Sequence, residues 1–136
     1  MKKFIGILVI SLLIYSCGTQ QKKGLTFNKN LPEGAVRIVN DSLEYEIIII
    51  DAGFETYLNS ISQPANFYSQ QFYEGKNKFY VTEWNIRAKN PMRYDNSIYE
   101  NEINYDSNTD YGLDVNYKLY NYFKFVEHKY KQVFFN

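Results

Sequence analysis

One cysteine, Cys17, stands in a chain of 136 residues. No intrachain disulfide can close, so any fold must be held by its core and its hydrogen bonds. The material for that core is aromatic. Phe, Trp and Tyr make up 18% of the sequence, with 14 Tyr and 10 Phe. Such rings bury much area per residue and mark a chain that folds rather than stays disordered. Residues 35–136 suffice for one small domain around one core.

Ahead of that domain stands a leader. Lys2 and Lys3 precede an apolar run from Phe4 to Tyr15. The run is short of the roughly 20 residues that a spanning helix needs; it has the length of a signal-peptide core. It ends at Leu13-Ile14-Tyr15-Ser16-Cys17, which resembles the lipobox of bacterial lipoproteins. That resemblance implies removal of residues 1–16 and attachment of diacylglycerol and an N-acyl chain, such as palmitate, at Cys17. Each buried methylene of such chains contributes about 0.8 kcal/mol, so three chains hold far better than one. The competing readings are a plain secretory signal with an incidental cysteine, or a buried N-terminal helix.

Residues 17–34 are polar and carry Gly24, Pro32 and Gly34; they read as a flexible tether. Fully extended, it reaches about 50 Å at roughly 3.3 Å per residue. Cys17 is followed by Gly18-Thr19-Gln20-Gln21-Lys22-Lys23, with no Asp and no acidic cluster. By the lipoprotein resemblance, this implies the periplasmic face of the outer membrane. From residue 17 onward the chain has 13 basic and 15 acidic side chains, a net charge of −2. That balance argues against nucleic acid as a partner and against electrostatic adhesion to anionic lipid.

Ala35–Val39 and Leu43–Ile50 have the composition of strands, with turn chemistry at Asn40-Asp41-Ser42. In the second strand Leu43, Tyr45, Ile47 and Ile49 share one face. Glu44 and Glu46 share the other until Ile48 and Ile50 join them. One face is thus expected to be buried throughout and the second only at its far end. Asp51 is a candidate N-cap for a short amphipathic helix with Phe54, Tyr57, Leu58 and Ile61 on one stripe. From Pro64 to Asn90 the pattern predicts mostly helix, interrupted near Gly75, with Tyr73, Tyr80, Trp84 and Ala88 on a stripe beside Val81. Pro91 ends it. Pro91 to Tyr111 reads as an ordered loop with a short helix or strand near Ile98–Tyr105. The last element is the strongest helix: Val115, Leu119, Tyr122, Phe123, Val126, Tyr130 and Val133 form its apolar stripe. Asp110 or Asp114 caps it.

Three stretches carry a wider resemblance: Asn40 through Asp51, Tyr80-Val81-Thr82-Glu83-Trp84-Asn85, and Asp110-Tyr111-Gly112 with Asn116 through Phe123. Over roughly residues 36–130 the chain resembles a family of small uncharacterised bacterial lipoproteins with a domain of unknown function. The resemblance implies a location and a fold unit and supplies no catalytic residue.

Asp106-Ser107-Asn108-Thr109-Asp110 places oxygen ligands at alternating positions, so Asp106, Asn108 and Asp110 are a candidate cation set. An EF-hand loop requires Gly at its sixth position and Glu at its twelfth; here those are Tyr111 and Tyr117. An Asx-rich turn capping the last helix is the stronger reading. His128 is the only histidine, with no nucleophile near it in sequence, and reads as a solvated residue. Glu83 beside Trp84 is a candidate general acid, with Asp51, Glu100, Glu102 or Asp110 as partner, against the simpler reading of an exposed or salt-bridged helix residue. No Gly-rich phosphate loop occurs, and no cofactor is implied. Tyr68, Tyr73, Tyr94, Tyr99, Tyr105 and Tyr111, with Trp84, form a candidate ligand-binding set for glycan or for a protein partner.

Together these features predict an α+β domain: an N-terminal β-hairpin packed by several helices, with a long C-terminal amphipathic helix at the centre. The function expected is that of a non-catalytic cell-envelope lipoprotein, a protein-interaction or scaffold module. The alternatives are a glycan-binding lipoprotein using exposed tyrosines and, third, a carboxylate-dependent hydrolase.

Overall fold

The computed structural model describes residues 35–135; the leader, Cys17 and the tether at 17–34 lie outside the described residues. The fold is α+β, with a two-stranded antiparallel hairpin followed by three helices. Strands β1 (Val36–Asn40) and β2 (Tyr45–Ile49) pair with Ile38 opposite Ile47 and Val36 opposite Ile49. The turn between them is a single 3-10 turn, Asp41–Leu43. Asn40 caps it, its side-chain oxygen accepting the N–H groups of Ser42 and Leu43. Because side chains alternate along a strand, Val36, Ile38, Ile47 and Ile49 share the inner face, and Ile38 and Ile49 are buried. The outer face departs from expectation. Ile48 and Ile50 are 44% and 66% exposed, while Leu43, expected on the inner face, lies in the 3-10 turn and is exposed. The second face of the hairpin therefore stays open at its far end, where burial was expected.

Helix α1 (Phe54–Ser60) does not begin at an Asp51 cap. Its N-cap is Gly53 at φ +99°, a left-handed conformation that glycine adopts without a Cβ penalty. The Asp51 backbone carbonyl accepts the Phe54 N–H instead. Phe54 is buried, Tyr57 and Leu58 half-buried, and Ile61 falls outside the helix and is exposed.

Helix α2 (Gln70–Ala88) is shorter at its start than the Pro64 onset predicted, and it runs unbroken through Gly75. Pro64 begins a turn closed by the Phe67 N–H on its carbonyl. Ser69 then provides the cap, its hydroxyl oxygen accepting the Phe72 N–H. A glycine inside a helix costs about 0.5–1 kcal/mol. Burial of Tyr73, Tyr80, Val81 and Trp84 on the same helix outweighs that, at about 1.5–3 kcal/mol per large side chain. Residues 98–105 form neither helix nor strand.

Helix α3 (Gly112–Tyr130) packs against α2, α1 and β1, which makes it the centre of the fold. Its N-cap is Tyr111 rather than an aspartate, although the Asp110 carboxylate accepts the Gly112 N–H at 3.0 Å. More of α3 is buried than one stripe: Asn116, Tyr117, Asn121 and Phe125 join Val115, Leu119, Phe123 and Val126. Lys131, at φ +54°, ends the helix, so Val133 lies past it and is exposed. The chain then turns Phe134 back into the core.

The core is a run of rings. Tyr80 and Phe123 lie parallel with centroids 5.0 Å apart. Trp84 meets Tyr99 edge-on at 5.0 Å, and Phe54 meets Phe125 at 5.5 Å. Four polar side chains, Asn77, Arg87, Asn116 and Asn121, are buried within it. The Arg87 guanidinium donates to the Glu83 carboxylate, the Tyr99 hydroxyl and the Val133 carbonyl, each at 2.8 Å, and sits over the Phe134 ring. Asn77 donates to the Asn116 carbonyl, and the Tyr105 hydroxyl donates to Asn116 Oδ1. Among the described residues, no helix is long and apolar enough to cross a membrane.

Candidate functional site

The most developed concavity is a groove of about 530 Å³ between β2 and the segment 97–104. Eight consecutive residues, Glu44 to Asp51, line it. Successive side chains of a strand point to opposite faces, so an unbroken run of lining residues means that the groove meets β2 along its edge. β1 is the only strand neighbour of β2 among the described residues. No other described backbone group bonds Tyr45–Ile49. The outer edge of β2 therefore offers a row of unpaired N–H and C=O groups.

The opposite wall is held in place by α2. The Trp84 indole N–H donates to the Asn101 carbonyl at 2.8 Å. The Asn85 side chain makes a reciprocal pair with Ile103, accepting its N–H at 2.8 Å and donating to its carbonyl at 3.0 Å. With Ile103 also buried, residues 101–103 are pinned to the helix although they have no regular secondary structure. Trp84, Tyr122 and Tyr130 line the groove as well. Burial, with the Asp51 charge next, pushes the Tyr122 phenol well above its ordinary value.

Asp51 closes one end. Its carboxylate accepts from Lys129 and from the Tyr130 hydroxyl, tying the exit of β2 to the end of α3. Hydrogen bonding to Asp51 is the main cause that raises the Lys129 ammonium above its usual range. Five carboxylates line the groove (Glu44, Glu46, Asp51, Glu100 and Glu102) and no lysine or arginine does. Arg37 pairs with Glu46, Lys89 with Glu102 and Lys129 with Asp51. Glu44 and Glu100 have no ion-pair partner among the described residues, and both are exposed.

The residues singled out from the sequence scatter over the molecule. Of the candidate ligand-binding set, Tyr73, Trp84, Tyr99 and Tyr111 are buried, none more than 7% exposed. Tyr94 and Tyr105 are half-buried and only Tyr68 is exposed. Tyrosine serves a core as readily as a surface when its hydroxyl finds a partner. Here Tyr99 receives Arg87, Tyr105 bonds Asn116, and the Tyr111 hydroxyl accepts the Asp106 N–H. Trp84 alone of the set lines the groove.

Asp106 accepts from the backbone and side chain of Asn108, while Asp110 accepts from Gln70 and the Gly112 N–H. These are the bonds of an Asx turn leading into α3. Among the described residues no three His, Cys, Asp or Glu side chains come together as a metal-holding group. His128 is exposed beside the Tyr57 ring. Glu83 is salt-bridged to Arg87 within α2, the simpler of its two readings, and does not line the groove. Cys17 lies outside the described residues.

Fold and groove together define the class: a small α+β domain whose hairpin is packed on one side and open along one strand edge. The chain belongs to a family of unknown function (DUF6146), whose family model matches residues 4–136. No curated protein and no solved structure matches it.

Proposed function

We propose that this protein is a non-catalytic bacterial lipoprotein of the cell envelope, anchored through Cys17 at the periplasmic face of the outer membrane. Its domain binds another envelope protein in the groove between β2 and residues 97–104. One observation carries the binding reading. The whole length of β2 is a strand edge without a partner among the described residues, facing a second, fixed wall, and an exposed edge of this kind is a common site for capture of another chain. The family match takes in the apolar leader and Cys17 together with the domain, which supports reading them as one unit.

The test is site-specific photocrosslinking in the native host, with the photoreactive residue in place of Ile48 or Asn101 in the groove, or of Lys78 on the exposed face of α2. The reading expects one discrete adduct from both groove positions and none from Lys78. Adducts from Lys78 alone would overturn it. Intact-mass measurement of the protein from its host tests the anchor; a free thiol at Cys17 or a cut elsewhere removes the placement.

The glycan-binding alternative keeps one supporting observation. Tyr68 stacks on Phe72 with centroids 4.0 Å apart beside the exposed Phe67, a ring surface on which a sugar face can lie. A tyrosine-fluorescence titration with cell-wall oligosaccharide, in wild type and Tyr68→Ala, separates it from the protein-binding reading. The hydrolase reading has less support, because Arg87 already holds Glu83; Glu83→Gln without loss of any phenotype would end it.

A further inference from the structure

We infer that the groove takes an extended, cationic segment of the partner, which joins the hairpin as a third strand along β2. This rests on the protein-binding reading above and specifies the chemistry of the partner.

Three features converge on it. The first is the strand edge. Backbone groups left along β2 are satisfied most fully by another backbone at strand spacing, about 4.8 Å away. Five residues of β2 give a ladder about 17 Å long, enough for a short peptide segment. The second is the floor. Alternate side chains of an added strand face opposite ways, so one set lies toward the rings of Trp84 and Tyr122 and the other toward the rim. The third is charge. Five carboxylates and no cation line the groove. The two without ion-pair partners, Glu44 and Glu100, stand on opposite walls, one at the start of β2 and one on the 97–104 segment. A segment with basic side chains at alternate positions meets both. The same charges oppose a second copy of this chain, since edge-to-edge pairing of two β2 strands sets like charges against each other.

The test uses the full chain in detergent and a defined probe: an end-blocked octapeptide alternating Lys and Val. Its comparators are a Glu and Val counterpart and two versions of the Lys peptide N-methylated at alternate residues, one in each frame. Binding is read by calorimetry at low salt, and amide hydrogen exchange is followed at the N–H groups of Tyr45–Ile50 that point away from β1. We expect the Lys peptide to bind and to slow exchange along β2. One N-methylated frame should lose binding, because it removes the donors that face β2, and the other should keep it. The Glu peptide should not bind. The Glu44→Lys/Glu100→Lys double variant should bind the Lys peptide about tenfold more weakly.

Equal binding of the Glu peptide, indifference to both N-methylated frames, or binding without protection of β2 would each overturn the inference. Exchange that is already slow without peptide also overturns it. If Lys22, Lys23 and Lys29→Gln releases that protection, the occupant is the chain's own 18–34 segment; if dilution does, the occupant is a second copy. A peptide that fails to bind while Ile48 and Asn101 still crosslink a protein defeats the cationic-strand inference and leaves the protein-binding reading standing. Crosslinks from Lys78 alone defeat the protein-binding reading itself.

Discussion

The two sides of α3 solve the same problem with different completeness. Toward α2, rings and buried amides close on one another. Arg87 uses its donors on a carboxylate, a phenol and a carbonyl, and Tyr80 lies flat on Phe123. Toward the hairpin, β1 packs on α3, while β2 buries Ile49 but leaves its outer edge without a strand partner among the described residues and Ile48 and Ile50 exposed. The difference teaches where this sequence applies its constraint. One half is arranged for stability, and the other leaves apolar and hydrogen-bonding capacity unused where a second chain can reach it.

The sharpest way to break that contrast is to cut back one apolar side chain on each side. Phe123 is fully buried, and Phe123→Ala is expected to cost about 3–5 kcal/mol, measured by urea denaturation. Ile48→Thr, on the open face of β2, should change stability by less than about 0.5 kcal/mol. If the two variants unfold at similar urea concentrations, the hairpin face is buried in solution and the contrast is wrong.

Arg87→Met comes next. Methionine keeps much of the side-chain volume but drops all three hydrogen bonds and leaves Glu83 without its partner. Loss of about 3 kcal/mol is expected. The change should also reach the tail, because Val133 and Phe134 are held by this guanidinium. Trp84, which stacks with Phe134, reports that release as a shift in fluorescence under native conditions. A variant as stable as wild type would mean that the tail is held by Phe134 packing alone.

How much of this was legible in the sequence divides along the same line. Val115, Leu119, Phe123 and Val126 announced α3 because apolar residues at helical spacing have one physical reading. Asn77, Asn116 and Arg87 announced nothing. A polar residue is buried only when its partners are in place, and several of those partners lie 12 to 46 residues away in the chain. The same blindness leaves Tyr99 and Tyr111, both buried, among the candidate ligand-binding rings. The groove was harder still. It exists because Trp84 and Asn85 hold a segment 17 and 18 residues further on, and no local pattern encodes that. One signal was available and pointed the other way: Glu44 and Glu46 giving way to Ile48 and Ile50 predicts a covered far end, whereas both isoleucines are exposed.

Alkaline pH should act on both sides of α3, because Tyr45 stands on β2 and Tyr122 lines the groove while Tyr80 faces α3 from α2. Burial, with the Glu74 charge next, pushes the Tyr105 phenol up to about 12, while in the unfolded chain it ionises near 10. Between those values the folded state holds a proton that the unfolded state has released. Its contribution is therefore complete below about pH 10 and is lost as pH rises toward about 12. Burial raises Tyr45, Tyr80 and Tyr122 in the same direction. Urea midpoints should be flat near neutrality and fall above about pH 10, with tyrosinate absorbance rising in step with unfolding. Tyrosinate formation well ahead of unfolding would show that these phenols are open to water.

The smallest effect expected is also the most discriminating. Two residues other than glycine hold left-handed backbone, Glu44 at φ +51° and Lys131 at φ +54°. An L-residue there carries about 1–2 kcal/mol of steric cost that glycine avoids, offset by the roughly 0.5–1 kcal/mol that glycine loses in conformational entropy on folding. Glu44→Gly and Lys131→Gly should therefore each raise stability slightly, by up to about 1 kcal/mol. They differ in what else they remove. Lys131 ends the packed helix and lies outside the groove, so its replacement should leave binding of the Lys and Val peptide unchanged. Glu44 is a groove carboxylate with no ion-pair partner among the described residues, so its replacement should stabilise the fold while weakening the peptide. A charged residue kept in a strained conformation, at the expense of stability, is what selection for recognition at that strand edge would produce. Equal peptide affinity in both variants would reduce Glu44 to an ordinary turn residue.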